Sequence, residues 1–475
     1  MSAPDNDIVG QFAAIVGEAN VLTEVADTAP YLKEWRGRWT GKTAAVVRPG
    51  STVEVAAILK LASETGTAIV PQGGNTGLVG GQIPDASGRQ VILSTSRLNR
   101  IREIDPAGNT ITVEAGVVLQ TVQEAAMEHN RLFPLSLGAQ GSCQIGGNLS
   151  TNAGGTGALA HGVARDLCIG LEVVLPTGEV LDALNKLKKD NTGYDLRDLF
   201  IGAEGTLGVI TAAVLKLFPK PAGLATAFIA LPSPAEALAL FGRAREAAGN
   251  GLTAFELMAR IGVEFTVRHV DGVRDPLSDH HPWYVLMEIS SGQSEEDARA
   301  TLESVLEHGM EHGLVLDGVI AESFQQRADF WRLREGMSES QIPEGGSIKH
   351  DISVPVDRVP DFLAAADKAV LAIEPGSRIC AFGHLGDGNI HYNISQPVGA
   401  DKAVFLTLIE VITPAVHRIV GDFGGSISAE HGIGQMKRDE LAEVKPPVAL
   451  DLMRRIKRAF DPAGIMNPGK VIVPD

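Results

Sequence analysis

Pro71-Gln-Gly-Gly-Asn-Thr-Gly-Leu-Val-Gly-Gly81 follows directly on the apolar run Ala68-Ile-Val70, and a longer tract, Gly138-Ala-Gln-Gly-Ser-Cys-Gln-Ile-Gly-Gly-Asn-Leu-Ser-Thr-Asn-Ala-Gly-Gly155, stands downstream. Glycine admits φ > 0 and close ligand approach, so successive N–H groups can cradle a phosphate. The first tract has neither the Gly-Lys-Ser/Thr of a Walker A loop nor GxGxxG spacing, so P-loop and Rossmann readings fail. Taken singly, it is equally compatible with a structural loop. The second reads as a long stretch without regular structure, and inside a compact domain such a stretch is functional or disordered. The flanking strands Thr110-Ile-Thr-Val-Glu114 and Gly170-Leu-Glu-Val-Val-Leu175 argue against disorder. Two such tracts in one domain suit a long ligand that carries a pyrophosphate.

Around this domain the chain organises simply. Its 475 residues, 44% of them hydrophobic, are enough for two or three packed domains. Residues 1–39 read as a helical lead-in with Ile8, Phe12 and Ile15 at helical spacing. Residues 40–219 form the glycine-rich domain, where Ser51-Thr-Val-Glu54 is a capping box and Val55, Ile58, Leu59 and Ala62 line one helical face. After Phe218-Pro-Lys-Pro-Ala222, strands alternate with amphipathic helices. That rhythm predicts, for residues 220–420, an antiparallel sheet with helices on one face. Residues 421–475 form a C-terminal helical segment.

Charge and cysteine usage narrow the partners. Lysine and arginine total 41 against 58 acidic residues, a net charge of −17, which argues against nucleic acid and anionic membrane surfaces. Cys143, Cys168 and Cys380 have no CxxC spacing and fit buried thiols in a reducing compartment. Met1-Ser-Ala-Pro-Asp-Asn-Asp7 has neither a basic nor an apolar signal region, and no 18-residue apolar run provides a membrane span. The expectation is a soluble, cytoplasmic protein.

A second chemical feature is Gly383-His-Leu-Gly-Asp-Gly-Asn-Ile-His-Tyr-Asn393. Asp387-Gly388 predicts a two-residue type I′ hairpin, which pairs Gly386 with Asn389, Leu385 with Ile390 and His384 with His391. Cross-strand partners share a face with Cβ atoms roughly 5 Å apart, so the two imidazoles suit one metal ion. Asn393 joins that face by the two-residue period. Ser428-Ala-Glu-His-Gly-Ile-Gly434 adds a carboxylate and a third histidine. Adjacent residues do not readily reach one ion together, so Glu430 is assigned to the metal and His431 to proton transfer. Two histidines and a carboxylate suit Zn²⁺, or another divalent metal such as Mn²⁺, Fe²⁺ or Co²⁺.

Gln72-Gly-Gly-Asn-Thr-Gly77, Ile145–Gly155, Asp190-Asn-Thr-Gly-Tyr-Asp195 and Glu204-Gly-Thr-Leu-Gly-Val-Ile210 resemble the FAD-binding domain of the vanillyl-alcohol oxidase/p-cresol methylhydroxylase (PCMH-type) family. With the hairpin, Glu430-His431 and Met466-Asn-Pro-Gly-Lys470, the chain resembles that family's D-2-hydroxy-acid dehydrogenase branch, which holds D-lactate and D-2-hydroxyglutarate dehydrogenases. The resemblance runs from about residue 40 to the end. It implies an α+β fold: a two-subdomain FAD-binding domain, a cap domain whose antiparallel sheet is covered by helices, and a C-terminal segment returning to the flavin. It places the pyrophosphate on Gly73, Gly74, Asn75, Thr76, Gly77 and Leu78. Ser94, Gly138, Ser142, Gly146, Gly147, Thr151, Gly208, Ile210 and Asn467 match other positions that line the cofactor. Some relatives link flavin to a loop histidine; Asn75 cannot form that bond, so non-covalent FAD is implied. Ala160-His161-Gly162 departs from the Arg-Tyr-Gly common in the family, so that arginine's basic contact is lost or passes to His161.

On the substrate side, Arg334 and Ser338 are expected on one face of a helix Gln325–Gln341, with Lys349 on the next strand. A guanidinium fork, a hydroxyl and an ammonium are what a free carboxylate needs. A solvated helix face is the alternative reading of the residues alone. These positions and Asn393 match those that hold the distal carboxylate and substrate oxygens in the 2-hydroxyglutarate enzymes. The resemblance thus favours D-2-hydroxyglutarate, oxidised to 2-oxoglutarate with His431 as base and flavin N5 as hydride acceptor, over D-lactate, glycolate or another D-2-hydroxy acid. A zinc hydrolase would use the same metal set but has no need of two glycine-rich tracts. Electron-transfer flavoprotein or a quinone is the expected acceptor, and a homodimer is possible.

Overall fold

The computed structural model describes residues 6–473; Met1 to Asp5 of the leader reading lie outside them. The chain divides into two compact units. One comprises residues up to 154, 162–219 and from 430 onward; the other comprises 155–161 and 220–429.

The first unit contains two main sheets. β1 (Val21–Leu22), β2 (Ala45–Val47), β3 (Ile69–Gln72) and β4 (Val91–Ser94) lie in the order β1-β2-β4-β3, with β2, β4 and β3 parallel. The helix Thr52–Thr65 follows β2 and leads to β3. Ser51 caps it by accepting from the Glu54 N–H at 3.2 Å, while Glu54 reaches back to the Gly50 N–H at 2.7 Å. Val55, Ile58, Leu59 and Ala62 form its fully buried stripe. The second sheet is antiparallel: β5 (Ile101–Asp105), β6 (Thr110–Glu114), β8 (Cys168–Val174), β9 (Val180–Ala183) and β10 (Val209–Lys216), in the order β5-β6-β10-β8-β9. β7 (Arg131–Leu132), which lies between β6 and β8 in sequence, pairs with β11 (Phe218–Pro219), which follows β10. Each sheet has its own apolar cluster.

The second unit is built on one seven-stranded antiparallel sheet. Its strands are β12 (Gly223–Leu231), β13 (Leu252–Ala259), β14 (Trp283–Ser291), β15 (Asp317–Ile320), β16 (Ser347–Ser353), β17 (Arg378–His384) and β18 (Asn389–Ser395). Their order is β15-β12-β14-β13-β17-β18-β16. The expectation of helices on one face is corrected: both faces are covered. Pro234–Ala248, Glu295–Glu311, Val359–Ile373 and Ile409–Asp422 bury apolar residues with Phe255, Leu257, Val285 and Ile394. Arg260–His269 and Phe324–Gly336 do so with Met258, Tyr284, Leu286 and Phe382. The strands alternate two apolar sets, so each face requires its own cover.

Three local expectations also change. Ile145–Ser150 inside the second glycine-rich tract is a short helix, although Gly146 and Gly147 lower its propensity. The helix expected over Gln325–Gln341 ends at Gly336, and turns follow. Consequently Arg334 is buried and Ser338 exposed, so they do not share a face. Among the described residues, no helix is long and apolar enough to cross a membrane.

Candidate active site

The first glycine-rich loop leaves β3 at Gln72 and runs beside the second tract. A methyl group on Gly74 would stand 2.0 Å from the Ser142 carbonyl oxygen, so only glycine permits this approach. Asn75 adopts φ 56 and braces the loop, its Nδ2 donating to the carbonyls of Pro30 (3.0 Å) and Lys33 (3.1 Å). Gln82 Nε2 donates to Asn75 Oδ1 and to the Gly77 carbonyl. Methyl groups on Gly138 or Gly147 would meet nothing within 4 Å, so backbone lies open there. Ser94 is buried at the end of β4, Ile210 lies buried in β10, and Gly208 packs against Val173 and Val174 of β8. Thr151 Oγ1 is turned back to the Gly147 carbonyl at 3.0 Å.

The C-terminal tail returns to the same loop. Met466 forms a parallel bridge with Ile69 of β3. Asn467, at φ 41, donates through Nδ2 to the carbonyls of Gly81 (2.9 Å) and Glu204 (2.8 Å). Three buried side-chain oxygens here have no partner: Gln72 Oε1, Asn148 Oδ1 and Asn467 Oδ1. They stand on β3, the second tract and the tail. Orphaned acceptors beside open glycine backbone fit a ligand that brings hydroxyl and N–H donors as well as phosphate.

The opposite chemistry appears on one face of the second unit's sheet. The hairpin is not the two-residue type I′ turn expected. Leu385–Asp387 form a 3₁₀ turn, Gly388 donates its N–H to the Leu385 carbonyl at 3.2 Å, and Gly388 takes φ 80. Asp387 Oδ1 accepts from the Asn389 N–H at 3.0 Å, which favours this longer loop. Its register pairs His384 with Asn389 and Phe382 with His391, not His384 with His391. The shift is two residues, the period of a strand, so both histidines keep one face. They become diagonal neighbours with ring centroids 5.7 Å apart.

Neighbouring strands add charges to that face. Glu256 on β13 lies opposite His384, and its Oε1 is 2.6 Å from His384 Nδ1. Its Oε2 takes Arg334 Nη2 at 2.7 Å and Nε at 2.9 Å. Burial would raise the Glu256 pKa, but His384 and Arg334 hold it well below the usual carboxylate range. The Arg334 guanidinium also lies over Phe382, 4.8 Å from its centroid. Asp351 on β16 lies opposite His391, with Oδ1 3.6 Å from His391 Nδ1. Lys349 lies opposite Asn393, and its Nζ donates to the Ser338 carbonyl at 2.9 Å. Glu256 was missed in the sequence, although a single carboxylate in the apolar run Leu252–Ala259 is itself a signal.

The Glu430-His431 segment follows Ala429, whose N–H donates to the Asp351 carbonyl. One donor atom each from His384, His391 and Glu430 lie within 4.8 Å of one another. That donor set and spacing fit a divalent metal. The segment beyond is clamped by Glu204, whose carboxylate accepts the N–H groups of Ile433 (2.7 Å) and Gly434 (2.8 Å). Burial pushes Glu204 up to about 7, against the pull of those amides, Lys437 and Lys470. His431 lies half-buried between Glu430 and Gly432, which takes φ 81. His161 ends the short helix Ala158–His161, and burial pushes its imidazole pKa down, favouring the neutral ring.

Loops suited to a phosphate-bearing organic cofactor, together with a sheet face that carries ionisable side chains, are what an oxidoreductase with a bound cofactor presents. Residues 220–471 match the family of FAD linked oxidases, C-terminal domain, and residues 43–184 match the FAD binding domain. The chain is 39% identical over 472 residues to a probable mitochondrial D-2-hydroxyglutarate dehydrogenase of Oryza sativa subsp. indica, covering 99% of this chain and 82% of the relative. It is 38% identical over 449 residues to a D-2-hydroxyglutarate dehydrogenase of Xanthomonas citri pv. viticola, covering 94% and 93%. The fold is shared with p-cresol methylhydroxylase, at TM-score 0.77 and 19% identity over 99% of this chain and 98% of that one. The chain belongs to the FAD-linked oxidase family, with the PCMH-type fold, and stands with its D-2-hydroxyglutarate dehydrogenase relatives.

Proposed function

We propose that the chain oxidises D-2-hydroxyglutarate to 2-oxoglutarate, using FAD and a divalent metal, with His431 as general base. The class, an FAD-dependent D-2-hydroxy-acid dehydrogenase, follows from the family. The observation that carries the finer reading is identity of 38–39% along nearly the whole chain to relatives named for that substrate. Lys349 and Arg334, on and beside the histidine face, add the charge a second carboxylate needs. D-lactate, or glycolate, is the alternative within the class. A zinc hydrolase leaves the glycine-rich loops without a purpose.

Gly73–Leu78, with Ser94, Gly138, Ser142, Gly146, Gly147, Thr151, Gly208, Ile210 and Asn467, would hold FAD non-covalently. His384, His391 and Glu430 would hold Zn²⁺ or another divalent ion. When bound, FAD supplies a two-electron hydride acceptor and the metal a Lewis acid that lowers the substrate hydroxyl pKa. His431 takes the hydroxyl proton while the C2 hydrogen leaves with its electron pair, so C2 becomes a ketone. Lys349 and the Nη1 end of Arg334 would receive the distal carboxylate, since the Nε/Nη2 edge of Arg334 is already on Glu256. Ser338, which does not share the face of Arg334, would act through its carbonyl, which accepts from Lys349 Nζ. Asn393 orients a substrate oxygen.

Three buried free cysteines support a reducing, cytoplasmic location. Electron-transfer flavoprotein or a quinone as acceptor, and a homodimer, complete the proposal. Anaerobic mixing of the yellow protein with a panel of D- and L-2-hydroxy acids tests it. D-2-hydroxyglutarate should bleach the flavin at lower concentration than D-lactate, and L-isomers should not bleach it. Equal bleaching by D-lactate would move the assignment to the alternative, and a colourless preparation would reopen the hydrolase.

A further inference from the structure

We infer that Glu256 and Asp351 are positioning residues that orient the two histidines of the metal set, one carboxylate to each ring; this rests on the metal reading above. The four residues occupy four consecutive strands, β13-β17-β18-β16. Glu256 is the register partner of His384, and Asp351 is the register partner of His391. The inner strands thus present imidazoles and the outer strands present carboxylates, all on one face.

In both pairs the carboxylate addresses Nδ1, at 2.6 Å for His384 and 3.6 Å for His391. An ionised carboxylate only accepts hydrogen bonds, and neutral imidazole carries one N–H. The 2.6 Å contact therefore favours the proton on His384 Nδ1 and leaves its Nε2 lone pair for a metal, whereas Asp351, at 3.6 Å, biases His391 the same way by charge and not by a hydrogen bond. The carboxylates are themselves fixed: Glu256 by Arg334, and Asp351 Oδ1 by Asn389 Nδ2 at 3.0 Å. Both lie almost wholly out of water, at 1% and 3% exposure, where a carboxylate is costly unless its partners use the charge. Such outer carboxylates orient imidazole ligands and raise their basicity. The shorter contact gives Glu256 the larger share.

The test uses the full-length, FAD-loaded protein and measures Zn²⁺ affinity by competition with a chromophoric chelator. Flavin content and melting temperature are read alongside. Glu256→Gln should weaken Zn²⁺ binding by roughly 10–100-fold, Asp351→Asn by less, and Glu256→Asp should recover part of the loss. If Glu256→Gln melts early because Arg334 is left uncompensated, the double variant Glu256→Gln/Arg334→Met removes both charges and takes its place. Asp351→Asn leaves that ion pair intact and gives an independent reading. Zn²⁺ affinity within twofold of wild type in both folded variants would overturn the inference. His384→Ala separates it from the metal reading. If Zn²⁺ affinity falls in His384→Ala but in neither carboxylate variant, only the positioning role fails. If the wild type takes up no Zn²⁺, or His384→Ala binds it equally well, both readings fail together.

Discussion

The loop around Gly74 and the sheet face around His384 hold their groups by opposite means. The loop works by omission: glycines bring backbone against backbone, and Asn75, Asn467 and Glu204 take φ near 50° to keep it there. Its side chains mainly brace the loop. The sheet face works by addition, with buried ionic side chains from neighbouring strands ordered around two imidazoles. A cradle of amides is damaged by adding atoms, whereas a charged cluster is damaged by removing one partner. The two regions should therefore fail differently: one loses cofactor, the other loses chemistry while cofactor stays.

The largest effect should come from His431→Ala, which is expected to cut turnover by roughly 10²–10⁴-fold with flavin content unchanged. Stopped-flow bleaching against bound flavin measures it, and near-normal bleaching would remove the base assignment. Gly74→Ala should instead strip flavin and lower stability by about 1–3 kcal/mol or more, because the methyl meets the Ser142 carbonyl. Retained yellow colour in that variant would break the contrast. Gly147→Ala, with open space around its methyl and a helical backbone, should keep or slightly raise the apoprotein's melting temperature while weakening FAD binding.

Glu204 links the two kinds of construction, being a buried carboxyl that grips backbone amides. Its folded pKa, about 7, lies above the ordinary value of 4.5. The stability it contributes is therefore full below pH 4.5 and lost as pH rises through 7. The span corresponds to on the order of 3 kcal/mol. Denaturant titrations from pH 5 to 8 should show this decline in the wild type and a flatter profile in Glu204→Gln. The smallest effect concerns specificity. Lys349→Ala should raise KM for D-2-hydroxyglutarate about tenfold while sparing D-lactate, at roughly 1.4 kcal/mol. Arg334→Ala is a poorer probe, since it also releases Glu256 from one side and should harm both substrates.

Much of the glycine-rich region was legible in sequence because its requirements are local. Ser51 capping Glu54, the apolar stripe Val55–Ala62 and the adjacency of glycines all act within a few residues. The sheet face was legible only in part. The two-residue period correctly put His384, His391 and Asn393 on one side, yet the turn at Asp387-Gly388 was misread, since the Asp387 carboxylate and Gly388 also satisfy a four-residue loop. A one-residue error would have sent His391 to the other face; the two-residue shift preserved the pair.

By itself the sequence determined the family, the glycine-rich loops, the antiparallel sheet and the residues with metal-binding chemistry, because each depends on spacing or residue type along a short span. Only the tertiary structure decided which charges meet. Glu256 lies 128 residues from His384 and 78 from Arg334, and no periodicity connects them. Their pairing follows from sheet order, which places β13 beside β17 and β16 beside β18 through long crossovers. Strand order is set by burying apolar faces on both sides of the sheet, a property of the whole unit rather than of any one strand.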